Sequence, residues 1–122
     1  MTRPTVIVAC ADLMTSSRFQ TSGADVDLVT TRSTDAAMTA IAAAAGSPAG
    51  PLVVVVDLAT CGDVPGMVRA TYGDGLVVVG FAPHVQVELL ESARATCTRV
   101  LPRGSVVKRF ADVITEALLP GI

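Results

Sequence analysis

Reactive and charged side chains lie at the ends of three short apolar runs in this sequence. Cys10 and Asp12 follow "TVIVA", Asp57 ends "LVVVVD", and Arg103 follows "RVLP". A cysteine thiolate is a nucleophile, a carboxylate binds hard cations, and a guanidinium binds anions. Open α/β sheets bind their ligands in the crevice at the carboxyl ends of the strands. If these runs are parallel strands, their ends form a candidate pocket made of Cys10, Ala11, Asp12, Asp57, Phe81, Ala82 and Arg103.

Five short apolar runs rich in β-branched residues predict the strands that position this pocket. Two stretches, residues 53–56 and 76–79, contain no polar residue, which indicates strands buried on both faces of a parallel sheet. The predicted strands are 5–10, 26–31, 51–58, 76–82 and 99–102.

Segments of helical character alternate with these strands. Residues 34–45 are the clearest, because Thr34 can cap the helix, Asp35 lies near its positive end, and Gly46 ends it. The other predicted helices are 15–22, 64–72, 84–97 and 105–119.

The alternation of strands and helices predicts an α/β fold. We expect a flavodoxin-like (βα)5 arrangement, in which a doubly wound, five-stranded parallel sheet lies between two layers of helices. A length of 122 residues suits one domain spanning residues 1–122, with a core large enough to need no disulfide or metal.

Composition argues against several classes of partner. No apolar run approaches the roughly 18 residues of a membrane span, and the amino-terminal run lacks the features of a signal peptide. The formal charge is −2 and the basic residues form no stripe, so we expect no nucleic-acid partner. Three cysteines without a CxxC motif, and a single histidine, predict reduced thiols in a cytoplasmic protein with no metal or cofactor. The excess of arginine, alanine and valine suggests a GC-rich bacterial genome.

Nearly the whole chain resembles the receiver domain of bacterial response regulators. In that family a phosphoacceptor aspartate ends the third strand, and "VVVVDL" places Asp57 there. A Ser or Thr followed by Ala ends the fourth strand, where this chain has Phe81 and Ala82. A Lys-Pro pair ends the fifth strand, where it has Arg103 and Gly104.

The same resemblance identifies what this chain lacks. The family's first strand ends in an acidic pair that binds magnesium, and Cys10 and Ala11 occupy those positions. Neither side chain offers the oxygen ligands that magnesium prefers, and Phe81 cannot supply the family's hydroxyl contact to a phosphoryl group. The sequence therefore predicts a degenerate receiver, or pseudo-receiver, without magnesium-dependent phosphorylation at Asp57.

Three other interpretations of this site stand beside that one. "VACADLMTSS" is similar to the phosphocysteine loop of sugar-phosphotransferase IIB components, which would make Cys10 a phosphotransfer nucleophile. Free cysteine is also among the most buried residue types, so Cys10 can simply pack in the core. A small-ligand binder that uses the same crevice is a further alternative.

We expect a non-enzymatic regulatory module that acts through protein contacts. The resemblance implies a dimerisation or output face within residues 84–119, and a homodimer is the expected assembly. We also expect Arg103 to contact Asp57, directly or through water, because an arginine can form two parallel hydrogen bonds with a carboxylate that binds no metal.

Overall fold

Five strands form one parallel sheet in the computed structural model, which describes residues 3–46 and 50–118. The spatial order of the strands is β2-β1-β3-β4-β5, so β2 lies on one side of β1 and the other three strands lie on its other side. The predicted flavodoxin-like α/β fold is confirmed, and each strand begins and ends within one residue of its predicted bounds. The strands are β1 Thr5–Ala9, β2 Asp27–Thr31, β3 Leu52–Asp57, β4 Val77–Ala82 and β5 Arg99–Pro102.

Seven helices cover this sheet in the described part of the chain. Those predicted at 34–45 and 64–72 have the bounds expected, whereas the predicted helix 105–119 is divided at Arg109 and its last residue lies outside the described residues. A one-turn helix directly after β3 is an addition. The helices are α1 Leu13–Gln20, α2 Thr34–Ala45, α3 Leu58–Cys61, α4 Val64–Tyr72, α5 Val87–Ala93, α6 Arg103–Lys108 and α7 Phe110–Leu118.

The two faces of the sheet bury separate hydrophobic cores. On one face, Phe19 of α1 and Phe110 of α7 pack over Val55 of β3. On the other face, α2, α3, α4 and α5 pack over the alternate residues of the same strands, with Ile41 and Val54 among those buried. Val53 to Val56 are all fully buried, as the unbroken apolar run predicts.

The register of the central strands brings the site residues together. Ala9 of β1 pairs with Val56 of β3, and Asp57 pairs with Phe81 of β4. Cys10 follows β1 directly, so it lies level with Asp57 at the carboxyl edge of the sheet. In the part of the chain that the structure describes, no helix is long and apolar enough to cross a membrane.

Candidate functional site

Asp57 is a buried carboxylate whose two oxygens both accept hydrogen bonds. The residue is only 4% exposed. Its Oδ1 accepts from the backbone N–H of Ala59 at 3.1 Å, so Asp57 caps the one-turn helix α3. Its Oδ2 lies 3.4 Å from the Sγ of Cys10, which donates to it. Each oxygen of the Asp57 carboxylate therefore has one hydrogen-bond donor from within the protein.

Cys10 is fully buried and serves as the donor in this pair. The carbonyl oxygen of Asp12, 3.5 Å from Sγ, is a second acceptor for the same thiol hydrogen. Burial raises the pKa of the Cys10 thiol to about 11, and the negative charge of Asp57 acts in the same direction. A phosphocysteine loop requires the opposite change, because the thiolate is the nucleophile. The geometry thus does not favour cysteinyl phosphotransfer.

The two residues after Cys10 turn outward and start α1. Ala11 is exposed, and its backbone N–H donates to the Oγ1 of Thr60 at 3.1 Å. Asp12 caps α1, since its carboxylate accepts from the N–H of Met14 at 3.1 Å and from the Oγ1 of Thr15 at 2.8 Å. These hydrogen bonds, that from Thr15 first, hold the pKa of the Asp12 carboxyl below its usual value. Both carboxylates near the strand ends are therefore engaged as helix caps.

Phe81 belongs to the core rather than to an open pocket. It is fully buried on the same face as Cys10, and its ring meets that of Phe19 edge to face with centroids 5.7 Å apart. Phe19 in turn stacks on Phe110 at 4.7 Å, so the three phenylalanines of the chain form one cluster. Ala82 points to the opposite face, where it is buried against α2 to α5.

Arg103 does not contact Asp57. The structure describes both residues, and neither a hydrogen bond nor an ion pair joins their side chains; Arg103 is exposed at the first position of α6. It lies instead near Asp12, where its positive charge helps to lower the pKa of that carboxyl. The prediction of a direct contact is wrong because Asp57 is buried beneath the strand ends with both oxygens already bonded, whereas Arg103 starts a helix at the surface.

The described strand ends thus form two sites instead of one pocket. Cys10, Asp57 and Phe81 lie inside the core at the sheet edge. Asp12 and Arg103 line a surface groove of about 240 Å³ between α1 and α6. Ala11 and Ala82 contribute no side-chain chemistry to either.

Solved structures with the same fold are receiver domains. The receiver domain of NtrX from Brucella abortus superimposes with a TM-score of 0.71 at 18% identity, over 93% of this chain and 97% of that one. This chain has the receiver-domain fold. A second NtrX structure from the same organism matches with a TM-score of 0.70 at 16% identity, over 97% of this chain and 27% of that longer one. No protein-family model matches the sequence, and neither does any curated protein.

The magnesium ion implied by resemblance to receiver domains does not fit the residues of this chain. Magnesium requires oxygen ligands in near-octahedral geometry. The side chain of Cys10 offers sulfur, that of Ala11 has no ligand atom, and the carboxylate oxygens of Asp12 and Asp57 already accept hydrogen bonds. Within residues 3–46 and 50–118, no group of three or more His, Cys, Asp or Glu side chains is arranged to hold a metal ion.

Sequence reasoning did not identify two cations of the surface groove. Arg18 and Lys108 line it together with Asp12 and Arg103. Arg18 lies four residues after Met14, so helical spacing alone puts the two side chains on the same face of α1. Lys108 could not be placed in the same way, because the last helix was expected to run without the break at Arg109 that ends α6.

Proposed function

We propose that this chain is a non-enzymatic signalling module that uses the receiver fold to make protein contacts. In this proposal Asp57 does not undergo magnesium-dependent phosphorylation. The three cysteines are free thiols, which suits the reducing cytoplasm where we propose that the protein acts.

The hydrogen bond from Cys10 to Asp57 is the observation that carries the proposal. A buried carboxylate needs donors or a cation beside it, since an isolated buried charge is costly. Here a protonated thiol and a backbone N–H supply that stabilisation. The carboxylate is 4% exposed, so a phosphodonor has little access to its oxygens.

The packing of Phe81 supports a site with a single fixed conformation. In the receiver family that this chain resembles, a hydroxyl at this position contacts the phosphoryl group. A phenylalanine cannot donate a hydrogen bond, and this one is fixed between Phe19 and the strand ends. Moving it would open a cavity in the core, which costs stability.

A working interface would then be found among exposed apolar residues. Val85, two residues before α5, and Val87, its first residue, are 73% and 60% exposed. They lie in the segment 84–119, through which we propose that the chain forms a homodimer or binds a protein partner.

The test combines magnesium titration with intact-mass measurement after incubation with acetyl phosphate. We expect no stoichiometric heat of magnesium binding and no mass increase of one phosphoryl group. Tight magnesium uptake by the wild-type chain that is lost in Asp57→Ala would overturn the proposal, and so would a phosphoryl group mapped to Asp57.

A gain-of-function variant provides the positive control. Cys10→Asp/Ala11→Asp restores two carboxylates at the end of β1, and we expect it to bind magnesium more tightly than the wild type does. A phosphoryl group that maps to Cys10 in the wild type would instead support the cysteinyl phosphotransfer alternative.

A further inference from the structure

The cations of this chain divide into those that form ion pairs and those that do not. Nine residues are Lys or Arg, and all lie in the described ranges. Five of them have a carboxylate within 4.0 Å: Arg3, Arg69, Arg94, Arg99 and Arg109. Among residues 3–46 and 50–118, Arg18, Arg32, Arg103 and Lys108 have no such partner.

Three of these four cations line the groove between α1 and α6. Arg18 extends from α1, while Arg103 and Lys108 are the first and last residues of α6. Among the described residues that line the groove, Asp12 is the one carboxylate, and it is bonded to the N–H of Met14 and the hydroxyl of Thr15. The groove therefore carries two net positive charges, although the chain as a whole carries a formal charge of −2.

Exposed apolar side chains lie beside the cations. Met14 lines the groove and is 75% exposed, and Leu13, next to it at the start of α1, is 57% exposed. Val107 of α6 lies in the lining between Arg103 and Lys108. Covering large apolar side chains at the surface with a partner lowers the free energy, and methionine adapts its shape to different partners.

We propose that this groove binds an acidic segment of a partner protein that also carries apolar side chains. The proposal rests on the proposed function, since it names the chemistry of one protein contact. Charge complementarity selects carboxylates for Arg18, Arg103 and Lys108, and apolar side chains of the segment cover Leu13 and Met14. A small inorganic anion would leave the apolar residues uncovered. Two net charges on an acidic protein are too few to neutralise a nucleic-acid backbone.

Selection from a random 16-residue peptide library tests the proposal with the whole chain as bait. We expect recovered peptides to be enriched in Asp and Glu together with Leu, Ile or Phe. One such peptide, synthesised with a fluorescent label, should bind with an affinity that falls as salt rises.

Charge reversal then tests the groove residues. Arg18→Glu/Arg103→Glu should weaken binding of that peptide by roughly tenfold or more, because it replaces two attractive charges with two repulsive ones. Arg32→Glu is the matched control, since Arg32 is an exposed arginine without an ion pair that lies outside the groove. It should retain wild-type affinity. Lys108→Gln, a milder change, tests the same surface if the double variant does not fold by circular dichroism.

Several outcomes would overturn the proposal. They are recovery of no peptide, recovery of peptides without an acidic excess, and equal losses in Arg32→Glu and in the groove variant. Binding to phosphatidylserine vesicles without peptide binding would assign the groove to a membrane surface. Self-association lost only in the groove variant would assign it to a second copy of this chain. Each of these results can occur without phosphorylation of Asp57, so failure of this proposal is distinguishable from failure of the proposed function.

Discussion

At the scale of single residues, Cys10 provides Asp57 with an uncharged hydrogen-bond donor in place of the acidic residue that the resemblance to receiver domains implies. A carboxylate at position 10 would need a cation to offset its repulsion with Asp57. A protonated thiol needs none, and it donates a hydrogen bond to the Oδ2 of Asp57. The same contact keeps the thiol protonated, because ionisation would put two negative charges 3.4 Å apart. The charge of Asp57 thus helps to keep the Cys10 thiol protonated.

Removal of the thiol should leave Asp57 with an unsatisfied oxygen. We expect Cys10→Ala to lower the free energy of unfolding by about 1–3 kcal/mol, the usual cost of an unpaired buried polar group, in addition to the loss of packing. Cys10→Ser, which keeps a donor, should recover part of that loss. Urea denaturation measures both. Cys61→Ala is the control, since Cys61 is a buried thiol whose hydrogen-bond partner within the described residues is the hydroxyl of Thr60 and not a carboxylate. Equal losses in the two alanine variants would contradict this role for Cys10.

The raised thiol pKa values predict that alkaline conditions weaken the fold. Burial raises the pKa of Cys10 and of Cys97 from an ordinary value of about 9 to about 11. Because the folded state holds these protons more tightly, the stabilisation is complete below about pH 9 and is lost as pH rises through about 11. Urea midpoints measured across that range should fall in the wild type and fall less in Cys10→Ala/Cys97→Ala. An identical slope in the two proteins would contradict the assignment to these thiols.

At the scale of secondary-structure elements, sequence patterns predicted the strands better than the helix ends. Apolar β-branched runs define the central strands β1, β3 and β4, because every residue after the first in each of them is buried. The helix α2 was predicted with its observed bounds, because polar residues precede its apolar positions and Gly46 follows them, although Ser33 rather than Thr34 caps it. By contrast, α5 occupies only Val87–Ala93 of the predicted segment 84–97, and Thr98, just after that segment, bonds to Val78 through its N–H and its hydroxyl. Such contacts between distant parts of the chain leave no pattern in the sequence near the helix end.

The sequence predicted which residues lie at the strand ends, but not that they divide between the core and a surface groove. The end of each strand identified Cys10, Asp57 and Arg103, because parallel strands place their carboxyl ends at one edge. The separation of Arg103 from Asp57 depends on the surface start of α6 and on α3, which Asp57 itself caps. A one-turn helix with an aspartate cap has too few residues to show a periodic pattern.

The packing of α3 against β4 depends on a glycine. A Cβ at Gly80 would lie 2.9 Å from the Sγ of Cys97 and 3.1 Å from Cδ2 of Leu58 in α3. We expect Gly80→Ala to destabilise the fold by about 1–3 kcal/mol through overpacking, as measured by urea denaturation. The loss should be smaller when Cys97→Ala removes the nearest atom. Gly104→Ala is the control, because a Cβ there meets no atom within 4 Å and alanine favours the helix α6. A neutral Gly80→Ala would show that β4 and α3 can separate without cost.

At the scale of the whole molecule, the exposed features are distributed around the sheet. The cationic groove lies between α1 and α6, whereas Val85 and Val87 lie beside α5. The strand β5 forms one edge of the sheet, and a groove of about 510 Å³ runs along it between the end of α5 and the helices α6 and α7. Arg99 on this edge strand pairs with Glu116 of α7 at 3.7 Å. A charged side chain on an edge discourages unlimited strand pairing while leaving helical surfaces free to associate.

The segment 84–119 should mediate self-association of this chain. Val85 and Val87 project from the start of α5, and pairing two copies about a two-fold axis would bury both in each copy. Val85→Asp/Val87→Asp should therefore shift the molecular mass measured by sedimentation equilibrium toward the monomer, since each buried carboxylate would oppose its counterpart. Met67→Asp is the matched control, because Met67 is a partly exposed apolar residue on α4, outside this segment. A monomer at every concentration would contradict the prediction, and an equal shift in Met67→Asp would place the contact elsewhere on the molecule.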